Sequence, residues 1–94
     1  MSFLLKDPNA VLDYSIDWGA EYLNGGELLA SSDWSVVPDE PGGVTVVGSD
    51  FDATTASGKA AGGLAGRLYR LVNRVTTDAA RVDERSILIR VENR

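Results

Sequence analysis

The chain has 94 residues, 44% of them apolar and 24% charged, which is enough for one folded domain with one core and leaves no room for a second. It has no Cys and no His, so disulfides, thiolate nucleophiles and the commonest zinc ligands are excluded, and the remaining polar chemistry is that of carboxylates, hydroxyls, amines and phenols. A net charge of −5 opposes a phosphate backbone, no run approaches the roughly 20 apolar residues that span a bilayer, and residues 1–11 lack a basic stretch followed by a long apolar one; neither nucleic acid nor membrane is an expected partner, and no cofactor is expected.

Wherever the chain is regular its period is two. From Val11 to Trp18, Tyr14, Ile16 and Trp18 share one face while Asp13, Ser15 and Asp17 share the other, the pattern of a half-buried strand. A short helical turn can follow before the turn signal Asn24-Gly25-Gly26. A second strand is predicted over Glu27 to Val37, with Leu28, Ala30, Ser32, Trp34 and Val36 inward, and Pro38 to Gly43 ends it. Val44 to Gly48 is short and β-branched, as a third strand should be.

From Asp50 to Gly66 the pattern dissolves into Ala, Thr, Ser and Gly, which reads as one poor edge strand over Ala53 to Ala61. Alternation returns at Arg67 to Thr77, with Tyr69, Leu71, Asn73 and Val75 on one face and Arg70, Val72, Arg74 and Thr76 on the other. Residues 78–83 turn the chain, and Glu84 to Glu92 closes a hairpin with Ile87, Ile89 and Val91 inward. About six or seven short strands with no long amphipathic helix predict an all-β chain, an antiparallel β-sandwich in preference to a small barrel, in a single domain over residues 1–94. The expected core is Tyr14, Ile16, Trp18, Leu28, Trp34, Val36, Val44, Val46, Tyr69, Leu71, Ile87 and Ile89.

Motifs for chemistry fail on spacing. Ser57-Gly58-Lys59 lacks the earlier glycine of a phosphate loop, since position 53 is Ala, and lacks the hydroxyl after the lysine, since position 60 is Ala. Asp13 and Asp17 on one strand lie roughly 13 Å apart, too far to flank a glycosidic bond without convergence. No calcium-loop spacing is present around Asp50 and Asp52. Leu64 to Tyr69, ahead of a strand, resembles the tyrosine corner of immunoglobulin-like sandwiches.

Charge is divided along the chain. Residues 1–52 carry ten acids against one base, −9, and residues 53–94 carry eight bases against four acids, +4. Arg70 and Arg74 share an outward strand face and suit a carboxylate surface, and Asp13 with Asp17 offers one of the same spacing. These four residues are the candidate partner contacts, within one chain or between copies.

Three blocks in order carry a family resemblance: Asp7-Pro8, Val11 to Tyr14, Asp17-Trp18 and Tyr22-Leu23; then Ser31 to Val36; then Tyr69, Asn73 to Thr77 and Asp83 to Ile87. Together they cover most of the chain and resemble a family of small tailed-phage proteins encoded among head and tail genes. The resemblance implies an immunoglobulin-like fold and a virion structural role, as an adaptor between tail and fibre or as a head-tail completion protein. Members often carry Trp where this chain has Tyr22, and Gly-Asp where it has Gly26-Glu27, which leaves the attachment point open. The expected partners are other virion proteins, with a homo-oligomer possible in the particle, and the expected place is the virion, assembled in host cytoplasm. A capsid decoration or receptor-binding domain is the alternative; an enzyme is disfavoured because acid and base candidates at workable spacing are missing.

Overall fold

The computed structural model describes residues 3–20 and 22–93; Glu21 and the ends of the expected 1–94 domain lie outside the described residues. Among the described residues seven strands form two sheets: β1 (Leu4–Lys6), β2 (Leu12–Asp17), β3 (Leu29–Val37), β4 (Val44–Phe51), β5 (Thr55–Gly62), β6 (Leu68–Thr77) and β7 (Val82–Val91). The four-stranded sheet has the order β1-β7-β6-β3 and the three-stranded sheet the order β2-β5-β4. With strands lettered A to G along the chain, these sheets are C-F-G, joined by A, and B-E-D, the partition of an immunoglobulin-like sandwich.

Alternation holds strongest on β6, where Tyr69, Leu71, Asn73, Val75 and Thr77 are buried and the residues between them are not. Tyr14 and Ile16 on β2 face them from the other sheet, and Trp18 is fully buried in a single 3-10 turn, Trp18–Ala20, just past the strand. Two apolar clusters fill the sandwich, one around Tyr69, Leu71 and Ile89, the other around Trp18, Leu29 and Val75, with the half-buried Trp34 and Ile87 packed against both.

The tyrosine corner is present. The Leu64 amide donates to the Tyr69 hydroxyl at 3.1 Å, and that hydroxyl donates to Glu40 at 2.7 Å, which fixes the crossing into β6.

Four sequence expectations need correction. Leu28 is 44% exposed and Leu29 is the buried residue, because the β3 ladder slips between Leu29 and Ser31. That bulge inserts one residue, so Leu29 and Ser32, three apart, both face inward. The Ala/Ser/Gly segment is not an edge: β5 is the centre of its sheet, paired on both sides. Its small residues match what lies above them, since a Cβ added at Gly58 would stand 3.0 Å from the Trp34 ring.

The third expectation, a Val44 to Gly48 strand, was too short; β4 continues to Phe51 past an irregularity between Val46 and Gly48. The fourth concerns direction. The sandwich is antiparallel except at β1, which was not anticipated and runs parallel to β7. Lys6 anchors it: fully buried, its Nζ donates to the Gly62 carbonyl at 2.7 Å and the Asp7 carbonyl at 2.9 Å. One of those acceptors ends β5, so a lysine ties the two sheets together. Burial lowers its pKa, opposed by the nearby Asp7 carboxylate.

Candidate functional site

With the interior packed, the outer sheet faces hold the exposed chemistry. On the four-stranded sheet the outward residues of β6 are Leu68, Arg70, Val72, Arg74 and Thr76. The ladder sets their neighbours: Arg70 lies between Leu88 and Val37, Val72 between Ser86 and Ser35, and Arg74 between Glu84 and Asp33. Leu68 adjoins Arg90, whose parallel neighbour is Leu5.

Exposure of Leu5, Leu68 and Val37 is 45%, 42% and 58%, so one end of this face is an apolar patch around Arg70. Phe3, 43% exposed, lines a hollow with Leu88 at its border. Arg74 pairs with Glu84 at 3.3 Å, whereas the Arg70 guanidinium has no hydrogen bond or ion pair among the described residues. Apolar surface around an uncommitted arginine is the composition found at the centre of protein interfaces.

The three-stranded sheet presents a different surface. Asp13, Ser15 and Asp17 point outward from β2, opposite Lys59, Ser57 and Thr55 of β5. Asp13, Asp50, Ser57 and Lys59 line one shallow hollow there. Asp17 is partly engaged, since one carboxylate oxygen accepts the Ala20 amide at 3.2 Å and caps the 3-10 turn. The outer face of this sheet carries Asp13, Asp17 and Asp50 against Lys59, net −2; that of the other carries Arg70, Arg74 and Arg90 against Asp33 and Glu84, net +1, with Lys6 buried and Arg85 turned in over Trp18.

Asp13 with Asp17 and Arg70 with Arg74 therefore stand on opposite outer faces, with two sheets and a core about 10 Å thick between them. The pairs do not meet within one chain.

A family model described as podophage GP4 fiber-tail adaptor protein gp77 matches residues 6–90. The chain belongs to this fibre-tail adaptor family. Of the virion roles implied by the sequence, this family carries the tail-fibre adaptor, a structural component of the phage tail. A search of curated proteins returned no match.

The adaptor also contains a charged cluster that sequence reasoning missed. Glu27, 8% exposed, accepts from Arg81 Nε at 2.9 Å and from Arg81 Nη2 at 2.5 Å, from the Thr77 hydroxyl at 2.6 Å, and from the Asn24 amide at 3.0 Å. These donors, Arg81 first, pull its carboxyl from the ordinary 4.5 down to about 2. The Arg81 guanidinium also stacks 4.4 Å over Tyr22, Tyr22 meets Trp18 edge-on at 5.2 Å, and Arg85 lies 4.7 Å over Trp18. The cluster clamps the β2–β3 connection against β6 and β7. Glu27 and Arg81 are 54 residues apart, and only the fold reveals the pair.

Proposed function

We propose that residues 1–94 work as one domain that joins tail and fibre proteins by binding alone, with no catalytic step and no cofactor. The four-stranded face, with Arg70 and Arg74 beside its apolar patch, takes an acidic and partly apolar surface; the three-stranded face, with Asp13 and Asp17, takes a basic one. The observation that carries this reading is the uncommitted Arg70 among exposed Leu5, Leu68 and Val37, since such a patch is stable in water only at the cost of leaving apolar area wet. Two unlike faces back to back suit a connector between two unlike proteins.

The same reading places the chain in the virion after folding in the host cytoplasm. Its partners are proteins; the net charge of −5 speaks against nucleic acid, and no membrane contact is invoked.

The test is capture of tail, neck and fibre proteins of the same phage by the wild type, Arg70→Glu and Asp13→Lys. Arg70→Glu is expected to lose one partner and keep another, with Asp13→Lys doing the reverse. Wild-type binding to none of them, or unchanged binding by both variants, would overturn the reading.

A further inference from the structure

Resting on that two-face reading, we infer that the adaptor also stacks on itself, the outer face of the four-stranded sheet of one copy packing on the outer face of the three-stranded sheet of the next. Arg70 and Arg74 lie four residues apart on β6, Asp13 and Asp17 four apart on β2, so both pairs span roughly 13 Å. Each arginine then finds one carboxylate in either of two registers.

Lys59 discriminates between them. It sits beside Asp13 in the ladder. With Arg70 over Asp13, Lys59 falls beside Leu88 or Val37 and its charge is buried against apolar surface. With Arg70 over Asp17 and Arg74 over Asp13, Lys59 falls beside Glu84 or Asp33, the two neighbours of Arg74. All these charges are then opposed. Between the charged rows, Ser15 and Ser57 meet Val72 with Ser35 and Ser86, small residues that permit close approach.

Like faces do not pair this way, since Arg70 would meet Arg70 or Asp13 would meet Asp13. The contact is head-to-tail and repeats, closing into a ring if its rotation closes. It is weak on its own: three strands of about 20 to 26 Å, spaced about 4.8 Å, offer roughly 350 Å² per copy, less than half of what a standard interface buries on each side. In an open stack the two terminal copies each keep one outer face free, one of either kind, for the tail and fibre proteins.

The experiment is sedimentation of the full chain over a concentration series at low and high salt. The wild type is expected to exceed monomer mass at low salt and fall towards it at high salt. Arg70→Glu/Arg74→Glu and Asp13→Arg/Asp17→Arg should each weaken association by roughly tenfold or more. Mixed in equal amounts they should reassociate, because the new glutamates meet the new arginines and the native arginines meet the native aspartates. Should loss of the Asp17 cap disturb folding, checked by circular dichroism, the single pair Arg74→Glu and Asp13→Arg serves instead.

A wild type that stays monomeric at low salt, or a mixture no more associated than its parts, overturns the inference. If self-association is absent while the same variants lose a tail or fibre protein, the two-face reading survives and only stacking falls; if capture is also unchanged, both fall.

Discussion

The Trp18 indole donates to the Asn73 side-chain carbonyl at 2.9 Å in the sealed interior, joining the end of β2 in one sheet to β6 in the other. Asn73 passes the connection on, its amide nitrogen donating to the Ser32 hydroxyl at 2.9 Å and to the Asp33 carbonyl at 3.2 Å on β3. A fully buried amide with each end occupied specifies one arrangement of the sheets, because any slip of β6 leaves polar groups unpaired.

Asn73→Ala is therefore expected to cost about 2 to 4 kcal/mol, combining an unpaired indole donor with a cavity. In a Trp18→Phe background the same change should cost about 1 kcal/mol less, since the donor is already gone. Urea denaturation of the double-mutant cycle measures it. Strict additivity would mean that the bond contributes nothing.

Two buried phenols allow a contrast. Burial pushes the pKa of both Tyr14 and Tyr69 up, but among the described residues only the Tyr69 hydroxyl has hydrogen-bond partners, Leu64 and Glu40. Tyr69→Phe should lower stability by about 1 to 2 kcal/mol and Tyr14→Phe by less than about 0.5 kcal/mol. Equal losses in thermal melts would remove the tyrosine corner as a source of stability.

Gly58 tests the packing beneath Trp34. An added methyl would meet the indole at 3.0 to 3.3 Å, through ring atoms that cannot fold away. Gly58→Ala should cost about 1 to 3 kcal/mol and shift tryptophan emission, whereas Gly48→Ala, with open space around it, should do neither.

Much of this was legible in the sequence. The unbroken alternation of β6 revealed its inner face, and Leu64 to Tyr69 marked the corner, because both signals are local. Leu28 and Leu29 were misassigned because a bulge shifts phase without a residue type of its own, and either leucine satisfies the pattern. β5 looked like an edge because small residues carry weak strand preference; its place at the centre follows from the bulk of Trp34, a partner distant in sequence. Lys6 gave no sign of burial, since the carbonyl that holds it belongs to Gly62. The faces of Arg70 and Asp13 were readable strand by strand, but their lying on opposite sheets was not.

Glu27 makes stability depend on acid. Its folded pKa is depressed, so its contribution is complete above the ordinary value near 4.5 and is lost as pH falls towards about 2. Glu27→Gln should melt below the wild type at neutral pH, and the gap between their melting temperatures should narrow through that window. A gap independent of pH would show that the clamp on Arg81 is not electrostatic.

The arginines of the outer face should matter little to folding. Arg74 and Glu84 are more than half exposed, where an ion pair contributes about 0 to 1 kcal/mol, and Arg70 has no partner among the described residues to lose. Arg70→Glu is expected to change stability by less than about 0.5 kcal/mol. Arg74→Glu places a third carboxylate between Glu84 and Asp33 and should cost slightly more, about 0.5 to 1 kcal/mol. Urea midpoints with unchanged slopes would verify both values. Loss of association in these variants would then be a property of the face and not of a damaged fold; a large loss of stability in Arg70→Glu would instead mean that the residue supports the sheet it stands on.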